Sequence, residues 1–103
     1  MFSQKPLFMG IDAGSTKIRA LIFDQRGKLI SQASDSPKIY HSNIGWAHYD
    51  PNEIWETTAK VIKKSLSLID NPKRVVSVAV ASVGETAIIL DEKNEPIYQS
   101  IAW

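Results

Sequence analysis

Two short apolar segments joined by a tight polar turn constrain the fold of this chain most strongly. Residues 7–11 form an apolar run that ends at Asp12, which predicts a buried strand. Residues 12–16 are turn formers, and residues 17–23 then alternate so that one face is wholly apolar. Because strands joined by a tight turn are antiparallel, the pattern predicts a hairpin that starts a sheet.

The next segments predict a third strand and a helix. Residues 24–27 favour a hairpin turn in which Gly27 takes positive φ, and residues 28–36 form a more polar strand. Asp50 is a good N-cap, Pro51 suits the first helical position, and Glu53 lies three residues after the cap. The helix is expected to end near residues 70–71.

The last third of the chain predicts more strands. Residues 75–81 are almost continuously small and apolar, which is typical of a strand buried on both faces. Residues 82–86 are a polar break, 87–90 another strand, 91–95 a turn, and 96–103 an extended segment. Residues 37–49 are a thirteen-residue connection, whose length suggests a functional loop, while a segment that simply wraps an edge of the sheet stays open as an alternative. Trp46 and Trp55 are assigned to packing. The fold class is therefore α/β, a mixed sheet of order β-β-β-α-β-β-β with the helix on one face.

Composition excludes several classes of function. The 103 residues allow one domain at most, and a formal net charge of +1 gives no electrostatic footprint for nucleic acid. There is no cysteine, which excludes disulfides, thiolate nucleophiles and Cys-ligated metal sites. No apolar run approaches the ~18 residues of a membrane span, and no signal peptide is recognisable. These features predict a soluble cytoplasmic protein without a membrane partner.

Residues 10–17, Gly-Ile-Asp-Ala-Gly-Ser-Thr-Lys, carry the most informative chemistry. A tight turn with glycine presents several backbone N–H groups to one side, which suits phosphate oxygens. The Ser15 and Thr16 hydroxyls add donors, Lys17 or Arg19 can supply charge, and Asp12 can hold Mg²⁺. The spacing is that of neither the Walker motif nor the dinucleotide fingerprint. A plain hairpin turn of the same composition therefore stays open as an alternative.

Three segments together resemble a known family. The first is the hairpin of residues 10–24, and the second is Gly-Trp-Ala-His-Tyr-Asp-Pro-Asn-Glu-Ile-Trp at residues 45–55. The third comprises residues 78–82, Gly-Glu-Thr at 84–86, Leu-Asp at 90–91, and Glu-Pro-Ile-Tyr and Ile-Ala-Trp up to residue 103. Their order and separation resemble the N-terminal part of the FGGY carbohydrate kinases, and the resemblance covers residues 7–103.

The resemblance implies an architecture, a reaction and a nucleotide site. Family members have two domains of ribonuclease-H-like, or actin-like ATPase, fold that close over ATP and Mg²⁺. A sugar or polyol hydroxyl receives the γ-phosphoryl group. The residues implied to contact the ATP phosphates are Gly14, Ser15, Thr16, Lys17 and Arg19, with Asp12 serving the metal.

The resemblance also implies a substrate site. The turn after the fourth strand, with Gly84, Glu85 and Thr86, would contact the substrate, and Trp103 would pack against its carbon skeleton. Glycerol kinases carry an Arg-Glu pair in this turn. Here the pair is Gly84-Glu85, so the Glu matches and the Arg does not, which argues against glycerol as the substrate.

The chain stops at Trp103, whereas family members continue for several hundred residues. The general base is expected beyond Trp103, so the chain is interpreted as an incomplete portion of the first domain, inactive alone. One helix cannot cover both faces of the sheet, so an exposed apolar face and self-association are expected. Two alternatives stay open, an actin-like ATPase of another subfamily and a non-catalytic truncated domain.

Overall fold

The structure, a computed structural model, describes residues 4–42, 44–82, 84, 87–98 and 100–101. Its strands are β1 (Leu7–Ala13), β2 (Ile18–Asp24), β3 (Leu29–Asp35), β4 (Ile39–His41), β5 (Ala47–Tyr49), β6 (Val75–Ser82) and β7 (Ser100–Ile101). The helix α1 (Pro51–Ser67) lies between β5 and β6. A four-stranded sheet has the order β3-β2-β1-β6, and a smaller sheet has the order β4-β5-β7.

The larger sheet confirms the predicted pairing. Strand β1 is antiparallel to β2, and β2 is antiparallel to β3. Strand β6 returns after the helix and pairs with β1 in parallel. Gly27 adopts φ 82° in the β2–β3 turn, where the Asp24 carboxylate accepts the amides of Arg26 and Lys28. The turn therefore uses the positive φ that its glycine permits.

The helix begins as predicted and ends earlier. The Asp50 side chain accepts the Asn52 amide at 2.9 Å, with Pro51 at the first helical position. The Glu53 carboxylate accepts a hydrogen bond from the Tyr40 hydroxyl, which links the helix to β4. The C-cap is Leu68, and a short 3₁₀ helix follows at Pro72–Arg74. No helix in the described part of the chain is long and apolar enough to cross a bilayer.

One face of α1 packs on the larger sheet and forms the core. The sheet contributes alternate residues of β1 and β2, since period-two alternation points them to the same side. The buried members are Leu7, Met9, Ile11, Ile18, Ala20, Ile22 and Val61, and the partly buried residues packed against them include Ile54, Ile62, Leu66 and Ile69. The Ser31 hydroxyl donates to the buried Ser65 carbonyl at 2.9 Å, which holds α1 to β3. The helix-covered face is therefore confirmed.

Two predicted segments are wrong. Residues 37–49 are not a structureless loop, because they contain the β4–β5 hairpin. Residues 87–90 are not a strand: only Leu90 forms an isolated bridge, with Pro96. The turn at 91–95 is confirmed, with Asn94 at φ 63° and the Asp91 carboxylate accepting two amides.

Strand β6 is exposed rather than buried on both faces. Val76, Val78 and Val80 are 63%, 55% and 66% exposed. The reason is that α1 packs over β2 and β3, while β6 is the edge strand of the sheet. Val78 and Val80 are paired with the buried Met9 and Ile11, so this exposed apolar surface lies at the uncovered edge of the helix-bearing face and not, as expected from the sequence, on the opposite face.

The two tryptophans assigned to packing are also exposed. Trp46 lies in the β4–β5 turn and is 56% exposed, and Trp55 lies on the open side of α1 and is 72% exposed. The packing assignment is wrong for both residues.

Candidate functional site

The parallel pairing of β1 and β6 brings two sequence-predicted segments to one edge of the sheet. Ala13 at the end of β1 is in register with Ser82 at the end of β6. The β1–β2 turn follows Ala13, and exposed Gly84 follows Ser82. In open α/β sheets, ligands bind beyond the carboxyl ends of such strands. Glu85, Thr86 and Trp103, the other predicted substrate residues, lie outside the described residues.

The β1–β2 turn presents two backbone donors. The Gly14 amide donates to the Lys17 carbonyl at 3.0 Å, so it closes the turn and is not itself available to a ligand. Among the described residues, the Ser15 and Thr16 amides donate to no backbone carbonyl, and both residues are exposed. Lys17 is exposed beside them. This arrangement of amides, hydroxyls and an ammonium group can bind an anion.

Position 14 requires glycine because the backbone of Lys17 comes very close to it. A Cβ atom there would lie 2.9 Å from the Lys17 carbonyl oxygen. That distance is too short for a carbon–oxygen contact, and both groups belong to the turn. Gly14 is therefore the residue that allows the turn to form.

Asp12 and Arg19 form an ion pair beside the turn. They are cross-strand partners in the β1–β2 register. Arg19 donates from Nη2 and Nε to Oδ2 of Asp12, at 2.6 and 3.3 Å. Among the described residues, Oδ1 of Asp12 accepts no hydrogen bond. The pair therefore orients the carboxylate and leaves one oxygen for a cation.

The donor set at this edge fits Mg²⁺ bound together with phosphate. No group of three or more His, Cys, Asp and Glu side chains gathers anywhere in the described ranges. Mg²⁺ requires no such group, because it commonly binds through one or two carboxylates, waters and the phosphates of a ligand. Asp12 supplies one half-exposed carboxylate of this kind next to the anion-binding turn.

Tyr49 joins the smaller sheet to the turn, a contact that the sequence did not predict. Its hydroxyl donates to the Ser15 carbonyl, 34 residues away. Tyr49 is buried, and burial raises the pKa of its phenol, so the donor stays protonated at neutral pH. No local signal could reveal it, because β5 is three residues long and its pairing partners are distant in sequence.

A small apolar hollow of about 150 Å³ adjoins the turn. Its lining residues come from separate parts of the chain and are Ala13, Gly14, Ile18, Pro37, Tyr49, Ile54, Ser82 and Ile88. Ser15 and Thr16 are exposed and are not among the residues that line it.

Comparison with known families and sequences gives one consistent result. The sequence model of the N-terminal domain of the FGGY family of carbohydrate kinases matches residues 7–103 of this chain. Glycerol kinase of Leptospira biflexa serovar Patoc is 38% identical over 103 residues, covering 98% of this chain and 21% of the relative. Glycerol kinase of Parabacteroides distasonis is 36% identical over 97 residues, covering 92% of this chain and 19% of the relative. This chain spans about a fifth of the length of these relatives.

Solved structures share the fold. Gluconate kinase from Lactobacillus acidophilus matches with a TM-score of 0.86 at 22% identity, over 95% of this chain and 20% of that protein. Xylulose kinase from the same organism matches with a TM-score of 0.84 at 23% identity, over 93% and 19%. The predicted α/β fold of the actin-like ATPase type is thereby confirmed.

Proposed function

The chain belongs to the FGGY family of carbohydrate kinases, and we propose from this that it forms the opening portion of the first of two domains. The full-length protein transfers the γ-phosphoryl group of ATP to a hydroxyl of a sugar or polyol in the cytoplasm. The observation that carries the proposal is the anion-binding turn next to Asp12, at the edge where β1 and β6 both end. Since this chain is about a fifth of the length of its relatives, it is expected to be inactive alone.

The turn and the ion pair bind the nucleotide. The Ser15 and Thr16 amides and hydroxyls contact phosphate oxygens, Gly14 shapes the turn, and Lys17 neutralises charge. Arg19 donates to Asp12 beside the turn, and we assign it a share in that neutralisation.

Asp12 is the proposed metal ligand, through its free oxygen. Bound Mg²⁺ would offset the negative charge on the transferring phosphoryl group. Phosphoryl transfer otherwise needs positioning and a group that orients the attacking hydroxyl. We assign that last group to the part of the full-length protein that follows Trp103.

The substrate is proposed to bind beside the turn that follows β6. Glu85 can accept hydrogen bonds from hydroxyl groups, Trp103 can cover C–H groups, and Gly84 and Thr86 shape the turn. Gly84 stands where glycerol kinases have the arginine of an Arg-Glu pair, so this chain lacks that guanidinium. The curated relatives are glycerol kinases, yet we propose a sugar or a polyol other than glycerol.

The test is ADP formation by the full-length protein against a panel of sugars and polyols that includes glycerol. We expect turnover that depends on one of these compounds and is abolished by Asp12→Ala. The matched control is Asp70→Ala, which removes a carboxylate paired with Arg74 away from the turn. ATP turnover without any sugar dependence would favour another actin-like ATPase, and full activity of Asp12→Ala would refute the metal role.

A further inference from the structure

The hydroxyl of Tyr49 contacts the backbone of the turn from outside it, at the Ser15 carbonyl. Tyr49 lies at the end of β5, where it is in register with Ile39 of β4 and Ser100 of β7. Only 3% of its surface is exposed. The phenol is therefore held by a second sheet and not by the hairpin that it contacts.

The contact fixes the direction of a neighbouring donor. The Ser15 carbonyl and the Thr16 amide belong to the same peptide unit, and in a trans peptide these two groups point in opposite directions. Because the carbonyl points toward the buried phenol, the Thr16 N–H points away from it, toward the exposed side of the turn. Among the described residues, that amide has no backbone acceptor.

We propose that Tyr49 is a positioning residue, which holds the Thr16 amide toward a phosphate oxygen of the bound nucleotide. The inference rests on the proposed function, since it concerns the same phosphate site. A donor that is already oriented loses little freedom when the ligand binds, so its hydrogen bond contributes more to affinity. Loss of the phenol hydroxyl lets the peptide unit rotate and removes that advantage.

A purely structural role makes a different prediction. A buried phenol needs a hydrogen-bond partner in any case, so the contact could simply satisfy the hydroxyl. In that case, its removal would lower thermal stability and affect the binding of ATP and substrate alike. A positioning role would instead weaken ATP binding selectively, because only the phosphate donor is misdirected.

The experiment compares Tyr49→Phe with Tyr40→Phe in the full-length protein. Tyr40 is the matched control, because its phenol lies in the same small sheet but donates to Glu53. We expect Tyr49→Phe to raise the Kd for ATP about fivefold to tenfold, as for the loss of one hydrogen bond. The KM for the sugar and the melting temperature should stay within the range of the control.

A second substitution guards against a folding defect. Replacing Tyr49 by 4-aminophenylalanine keeps an N–H donor at the same ring position and should restore the affinity for ATP. Wild-type affinity in Tyr49→Phe would overturn the inference, as would equal losses for ATP and sugar with a lowered melting temperature. Failure of the wild-type protein to bind ATP would instead refute the proposed function, so the two failures are distinguishable.

Discussion

At the scale of single residues, the backbone amides of the β1–β2 turn differ in their hydrogen bonding. The Gly14 amide closes the turn, whereas the Ser15 and Thr16 amides have no backbone acceptor among the described residues, and we propose that they bind the ligand. Residues 14–17 would form a simple hairpin turn in another protein. What distinguishes them here is the neighbouring Asp12 carboxylate and the second sheet that holds the Ser15 carbonyl.

Gly14→Ala is predicted to disrupt the turn. The new Cβ would lie 2.9 Å from the Lys17 carbonyl oxygen, so the backbone must shift. Overpacking of this kind costs about 1–3 kcal/mol, and the shift would also misplace the two free amides. We expect a lower melting temperature and weaker ATP binding, measured by calorimetry on the full-length protein.

Gly10→Ala is the control for that prediction. Gly10 lies in β1, the strand that leads into the turn, and its Cβ would meet only the Phe23 ring edge at an ordinary 4.0 Å. The Gly10→Ala variant should bind ATP with the same affinity as the wild-type protein. Equal ATP affinity in both variants would contradict the role assigned to Gly14.

At the scale of elements, an ion pair links β3 to α1 and makes their contact dependent on pH. Lys60 donates to Asp35 at 2.9 Å. The Lys60 ammonium, helped by the Ser36 amide, holds the pKa of Asp35 below its usual value. A lowered pKa in the folded state means a stabilising contribution that is present above pH ~4 and is lost as the pH falls through the lowered pKa.

Lys60→Met should therefore raise the pKa of Asp35 toward its usual value, while the Ser36 amide keeps part of the shift. The measurement is a carbon-13 NMR titration of the Asp35 carboxyl group. Lys63→Met removes a neighbouring exposed lysine and should leave the titration unchanged. If both variants titrate like the wild-type chain, the ion pair does not form in solution.

The elements also show what local sequence could predict. The first hairpin and the N-terminus of α1 carry strong local signals, namely alternation around a turn and the cap at Asp50. Strands β4 and β5 have three residues each, too few for a period to be recognised, and they depend on pairing with each other and with β7. Residues 87–90 have a strand-like composition but pair only through Leu90.

The candidate site likewise contains residues that local sequence predicts and one residue that it does not. Asp12, Arg19 and the turn between them could be predicted, because their chemistry is contiguous in sequence. Tyr49 could not, because its role depends on a contact across two sheets. The exposure of β6 could not be predicted from its apolar composition, because the burial of a strand depends on which other elements cover it.

At the scale of the whole molecule, the chain is elongated and incompletely covered. Its radius of gyration is 16.1 Å, with extents of 59 × 28 × 21 Å. A compact domain of this length has a radius of gyration of about 13 Å. The exposed apolar side chains include Val76, Val78 and Val80 of β6 and residues Ile89, Leu90, Ile97 and Tyr98 near the C-terminal end.

The edge strand β6 is predicted to make the isolated 103-residue chain self-associate. An uncovered apolar strand at a sheet edge offers both unpaired backbone groups and apolar surface to a second copy. We expect the sedimentation coefficient to rise with protein concentration in sedimentation velocity experiments. The double variant Val78→Thr, Val80→Thr keeps the shape of both side chains and replaces one methyl group of each by a hydroxyl. Because the strand is then less apolar, the variant should shift the chain toward monomer.

Ile44→Thr is the matched control, because Ile44 is 69% exposed but lies in the β4–β5 turn, outside the larger sheet. It should associate like the wild-type chain if β6 is the surface responsible. A wild-type chain that sediments as a monomer at every concentration would contradict the prediction. Equal relief of association by both variants would assign it to general surface hydrophobicity and not to the β6 edge.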